Sequence, residues 1–189
     1  MEEAIRQIKL GNYLMVDLEI GFGKGAFLLS QALLNTDCFY IGIEIQTKFF
    51  NIAISNIPGG LKNLFLINGD ATLLIKTIGA SIKISTVHVY YPSPFASGNY
   101  RSDPIITESF FYNLHSVLMV GGVIRMVTDD YENYLKAKKI LKSYNYWFQE
   151  WQHFLGIPFG LLINSFCEKK HSSEGKQFYI YAQKARDTL

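Results

Sequence analysis

Residues 17–29 read DLEIGFGKGAFLL, an apolar run, then glycines at Gly21, Gly23 and Gly25, then a second apolar run. Glycine at this spacing permits a tight turn and lets backbone approach a ligand closely, so the stretch is expected to leave a buried strand, turn, and enter a helix. The same alternation extends along the chain. Strands are expected in YLMVDLEI (13–20), CFYIGIEI (38–45), NLFLIN (63–68), STVHVYY (85–91) and GGVIRMVT (121–128), with helical patterns beginning near Gly25, Gln46, Asp70 and Pro104. The strands are near-continuous apolar runs, as expected when helices cover both faces of a parallel sheet, which makes the fold class α/β.

A helix is expected at roughly 130–143, followed by strand candidates at 144–151 and 176–183. No repeat or low-complexity linker interrupts the series, so the reading is one domain over residues 1–189, with 1–12 a short leading segment. A chain of this length buries about 70% of its surface on folding, and 49% hydrophobic and 15% aromatic residues supply the core. Ligands of open parallel sheets bind at the carboxyl ends of the strands, which directs attention to two irregular loops, 92–103 and 156–173.

Eighteen Lys and Arg against sixteen Asp and Glu give net +2, so composition alone does not announce a polyanion partner. The balance is uneven, however. From Lys136 onward nine basic residues face four acidic ones, while the preceding part is net acidic. Lys136, Lys138, Lys139 and Lys142 form either a solvated helix face or displaced positive charge for a substrate. Cys38 and Cys167 are far apart, without metal-ligand spacing, and the four histidines are expected to pack or face solvent. MEEAIRQIKLGNY lacks the basic-then-apolar pattern of a signal peptide, and the expectation is a soluble, cytoplasmic protein with no metal.

Because Ala26 follows Gly25, the turn also satisfies a dinucleotide fingerprint, so the glycines alone do not choose a cofactor. Glu19 does. A carboxylate beside a pyrophosphate, with like charges about 5 Å apart, costs about 3 kcal/mol at an effective dielectric of 20. A ligand carrying an ammonium and a sulfonium would instead be attracted, which points to S-adenosylmethionine. Glu44 ends the second strand, where an acid can accept both hydroxyls of an adenosine ribose. Asp70 closes the third strand and suits either an N-cap or the adenine amino group, two compatible roles.

With these residues placed, the chain resembles the bacterial tRNA (guanine-N7)-methyltransferase family. The resemblance runs from about Val16 to Tyr181 through LEIGFGKGAFL, YIGIEIQTK, NLFLINGDA, GGVIRMVTD and the narrower marker SFCEKKHSSEGKQFY. It implies a Rossmann-like αβα sandwich on a mostly parallel seven-stranded sheet with a final antiparallel strand, S-adenosylmethionine as cofactor and tRNA as partner. Glu19, Glu44 and Asp70 match the family's cofactor carboxylates, joined by Gly21, Gly23 and Gly25. Asp129 matches a substrate aspartate, with an N-cap of the next helix as its alternative, and Ser165 and Glu168 match the ends of a Thr-x-Tyr/Phe-Glu substrate motif. Ser93 stands where the family has a catalytic aspartate, Phe95 replaces a tryptophan, and Arg101 is the only basic residue between Pro92 and Asp103, where the family carries a dense basic run. The alternatives to tRNA methylation are a catalytically degenerate cofactor- or RNA-binding protein of the same fold, or a methyltransferase with another substrate.

Overall fold

A computed structural model describes residues 2–79, 81–92, 105–144, 146–152 and 177–185. Its elements are α1 (Glu2–Gly11), β1 (Met15–Ile20), α2 (Ala26–Leu34), β2 (Cys38–Glu44), α3 (Thr47–Asn56), β3 (Leu64–Asn68), α4 (Ala71–Gly79), β4 (Ile84–Tyr90), α5 (Glu108–Val117), β5 (Leu118–Thr128), α6 (Tyr131–Ser143), β6 (Tyr146–Gln152) and β7 (Phe178–Lys184). The strands form one seven-stranded sheet in the order β3-β2-β1-β4-β5-β7-β6. The pairs among β1 to β5 are parallel, and β7 runs antiparallel to both β5 and β6. Strand order reverses between β1 and β4, the switch point at which such sheets open a crevice.

The period-2 geometry of β1 shows how one strand serves two layers. Val16, Leu18 and Ile20 enter a core with Phe39, Ile41, Phe110, Leu114, Tyr134 and Ile140, under α4, α5 and α6. The alternate positions are Asp17 and Glu19, and they face the layer where Phe27, Leu28, Tyr40 and Tyr90 pack beneath α2 and α3. A polar staple borders this second layer. The buried Asn63 amide donates to the carbonyls of Ala32 at 3.0 Å, Asn35 at 3.2 Å and Cys38 at 3.0 Å, tying the end of α2 to the start of β2.

β5 departs from the expected 121–128 by starting at Leu118. Ile84 pairs with Leu118 and Thr86 with Val123, so extra residues bulge from β5, with Gly121 at φ +77°. A bulge of this kind explains why the double glycine reads as a strand start although it lies inside the strand. Among the described residues no helix is long and apolar enough to cross a membrane.

Candidate functional site

Glu19, Gly21, Gly23, Gly25, Glu44 and Asp70 come together at the carboxyl edge of β1, β2 and β3. Parallel pairing sets Glu19 beside Gly42 and Ile20 beside Ile43, and the turn then closes through Gly21 N–H to the Ile43 carbonyl at 2.8 Å. The Glu44 carboxylate, only 5% exposed, is fixed from two sides. Its Oε2 accepts from Gly23 N–H at 2.9 Å and its Oε1 from Gln46 N–H at 2.8 Å. Each oxygen keeps a lone pair for a ligand hydroxyl. Gly69 N–H donates to the Glu44 carbonyl at 2.9 Å, bringing the start of the Asp70 turn to the same edge.

The glycines divide the turn into two functions. At Gly21 (φ +72°) and Gly23 (φ +58°) an added Cβ would meet nothing within 4 Å, so their missing side chains leave open space. At Gly25 (φ +78°) a Cβ would stand 2.9 Å from the Ala53 Cβ, so here glycine lets α2 lie against α3. All three positions favour glycine on backbone grounds. Gly25→Ala is therefore expected to lose about 1–3 kcal/mol of unfolding free energy from a strained backbone plus the clash. Gly21→Ala, which pays only the backbone term, should lose clearly less; denaturant titration of both variants tests the ranking, and an equal loss would contradict it.

Glu19 is the electrostatic focus. It is 4% exposed, and its Oε2 is buried with no hydrogen-bond partner among the described residues. Burial first, and then the charge of Glu44, pushes its carboxyl from the ordinary 4.5 up to about 8. A buried acid in that state can receive a cation, because a positive ligand restores the charge that burial has suppressed. The orphaned oxygen and the open space above Gly21 and Gly23 fit a ligand that brings a donor or positive charge to one side and polar hydroxyls to Glu44.

Asp70 performs its capping role. Its Oδ1 accepts from the backbone N–H and the hydroxyl of Thr72, both at 2.7 Å, at the start of α4. Asp129 does not cap α6. Asp130 does, its Oδ1 accepting from Glu132 N–H at 2.8 Å and Asn133 N–H at 3.1 Å, which leaves Asp129 exposed at the carboxyl end of β5. Ser93, Ser165 and Glu168 lie outside the described residues, as do Phe95 and Arg101.

Three contributors have no clear sequence signal. Asn68 donates to the carbonyls of Glu44 at 2.8 Å and Ile45 at 3.3 Å, while its Oδ1 accepts from the Thr47 hydroxyl at 2.8 Å, so it clamps the turn carrying Glu44. Tyr91, just before the candidate substrate loop, has φ +48°, an uncommon value for an aromatic residue, and its N–H donates to the Val127 carbonyl at 2.7 Å. Beneath the site, buried His88 bridges Asp17 Oδ2 at 3.2 Å and the Tyr90 hydroxyl at 2.8 Å. Burial holds its pKa below the ordinary range against the opposing pull of Asp17, so the imidazole is neutral and the contact is a hydrogen bond, not a full ion pair. Nε2–H then donates to Asp17, and Tyr90 O–H donates to Nδ1.

The sheet order, the glycine turn and the strand-end acids define a Rossmann-like methyltransferase architecture. Solved structures share it: a precorrin-6y C5,15-methyltransferase from Geobacter metallireducens has a TM-score of 0.66 at 15% identity, covering 97% of this chain and 87% of that one. Human methyltransferase-like protein 13 in complex with SAH has a TM-score of 0.64 at 14% identity, covering 98% and 80%. The family model Methyltransf_4, "Putative methyltransferase", matches residues 14–158, and the chain belongs to that family. Among curated relatives, the tRNA (guanine-N(7)-)-methyltransferase of Pasteurella multocida is 34% identical over 125 residues, which is 66% of this chain and 49% of the relative. That of Helicobacter hepaticus is 35% identical over 114 residues, 60% of this chain and 28% of the relative. The chain thus spans about half the length, or less, of these relatives.

Proposed function

We propose that this protein methylates guanine N7 in tRNA, using S-adenosylmethionine, and that residues 1–189 act as one catalytic domain in the cytoplasm. The observation that carries the cofactor assignment is the buried oxygen of Glu19, unpartnered among the described residues, beside the Glu44 carboxylate. The relatives named tRNA (guanine-N(7)-)-methyltransferase support the substrate. Glu19 would attract the ligand's ammonium side, Glu44 would accept the ribose hydroxyls, and Asp70 would meet the adenine edge. When bound, the cofactor supplies an electrophilic methyl group on a good leaving group.

The protein's own work is modest in proton terms. Guanine N7 offers a lone pair at neutral pH, so no side chain must remove a proton before attack. Rate then depends on holding N7 in line and on acceptors for the guanine N1 and amino hydrogens. Asp129, exposed at the carboxyl end of β5, is one such acceptor, and Glu168 is proposed as another. Ser93 donates and accepts hydrogen bonds but supplies no charge, so the carboxylates carry more of the orientation; Ser165 adds a hydroxyl on the substrate side.

Incubating the purified protein with unmodified tRNA and cofactor should yield N7-methylguanosine, detected by nucleoside mass spectrometry, and Asp129→Asn should lower the rate about tenfold or more. A preparation that binds cofactor yet leaves every tRNA species unmethylated would overturn the reading.

A further inference from the structure

α6 leaves the sheet at the rim of the site, directly after Asp129 and Asp130, and turns a cationic face to solvent. Lys136, Lys139 and Lys142 are exposed, and none forms an ion pair among the described residues. Three and six residues along a helix rising 1.5 Å per residue, they make a track roughly 9 Å long, enough for two or three successive phosphates of one strand. Glu132 is the one acid within α6, one turn before Lys136 and at the end facing the site.

At that same end stands Tyr131. It is 49% exposed, yet its ring packs against Phe178 at 5.1 Å and stacks on Tyr134 at 6.0 Å with a 21° interplanar angle. An aromatic ring that is both exposed and held in place offers a base a ready stacking surface with little ordering cost. Tyr131, Lys139 and Lys142, at i, i+8 and i+11, lie on one side of the helix, with Lys136 flanking them. A solvated face would need the lysines but gives no reason for the immobilised tyrosine at their site-proximal end.

We propose that the outward face of α6 is a binding track for an RNA strand, with Tyr131 stacking on a base near the reacting guanine and the three lysines holding the phosphates that follow. The track rests on the RNA reading above and names a surface for it that the 92–103 loop, with no net charge, does not supply. The test compares binding of an unmodified tRNA transcript by the full chain, by the triple variant Lys136→Gln, Lys139→Gln, Lys142→Gln, and by a charge-matched control, Lys9→Gln, Lys62→Gln, Lys76→Gln.

For the α6 triple variant, affinity should fall roughly tenfold or more at low salt, and the slope of log affinity against log salt should shrink by roughly 2 to 3, since each phosphate contact contributes about 0.7 to 0.9. The control should change both far less. Tyr131→Leu should weaken binding about fivefold or more and leave the salt slope unchanged, the mark of lost stacking. Cofactor binding and thermal midpoint, measured on each variant, should stay near wild type for the lysine sets. Wild-type affinity and slope in the α6 triple variant, or an equal loss in the control, would overturn the track while leaving tRNA methylation intact. Failure of the wild-type protein to bind tRNA would overturn both.

Discussion

Glu44→Ala is expected to reduce affinity for S-adenosylmethionine by about two to four orders of magnitude and also to destabilise the free protein. The two effects come from opposite sides of the same carboxylate. Toward the protein it accepts from Gly23 N–H at 2.9 Å and Gln46 N–H at 2.8 Å, holding the glycine turn against the end of β2. Removing an acceptor for two part-buried amides costs roughly 2–4 kcal/mol, depending on how much water replaces it. Toward the ligand it would lose two charge-assisted hydrogen bonds to ribose hydroxyls, each contributing about 1.5–3 kcal/mol. Calorimetric titration and denaturant unfolding of the same preparation separate the two. Affinity within threefold of wild type would remove Glu44 from the ligand site even if stability fell.

That double duty marks the limit of what sequence can show. The acid at the end of β2 is legible because its type and its spacing from Gly21 carry the information. Its two amide donors are not, because they depend on the glycine turn folding back over the end of β2. Asp129 and Asp130 illustrate the same limit at shorter range. Both precede the same helical run and either could cap it on composition; only the backbone conformation of Asp130, φ −95° and ψ 114°, makes it the cap.

Asn68 reads as an ordinary polar strand end, and its clamp on Glu44 and Ile45 exists because β2 and β3 are neighbours. The partnership of His88 with Asp17 spans 71 residues and becomes visible only when β4 is set beside β1. The parallel strands, by contrast, were readable almost throughout because continuous burial on both faces leaves a continuous apolar signature. β7 escaped this logic in orientation alone: its antiparallel pairing with β5 is expected from the family resemblance, not from its composition.

Glu19→Gln is expected to make the ligand-free protein more stable at alkaline pH while weakening the cofactor. In the folded state the Glu19 carboxyl titrates at about 8, against an ordinary 4.5, so between those values the fold holds a proton that the unfolded chain has released. Raising the pH therefore favours unfolding; the penalty is absent well below 4.5, grows through the interval and is complete above about 8. Wild type should lose roughly 3 kcal/mol more than Glu19→Gln between about pH 5.5 and about pH 8.5, read from denaturant midpoints at each pH. The ligand reverses the preference. A bound ammonium favours the ionised carboxylate, so wild-type affinity should rise by up to about tenfold per pH unit toward 8, beyond any change in the glutamine variant, which should bind about tenfold or more weakly at about pH 8. Glu44 couples the two sites: because its charge helps raise the Glu19 pKa, the stability transition in Glu44→Ala should move to lower pH. Parallel pH dependences in wild type and Glu19→Gln, for stability and for binding alike, would mean that Glu19 neither holds the proton nor receives the cation.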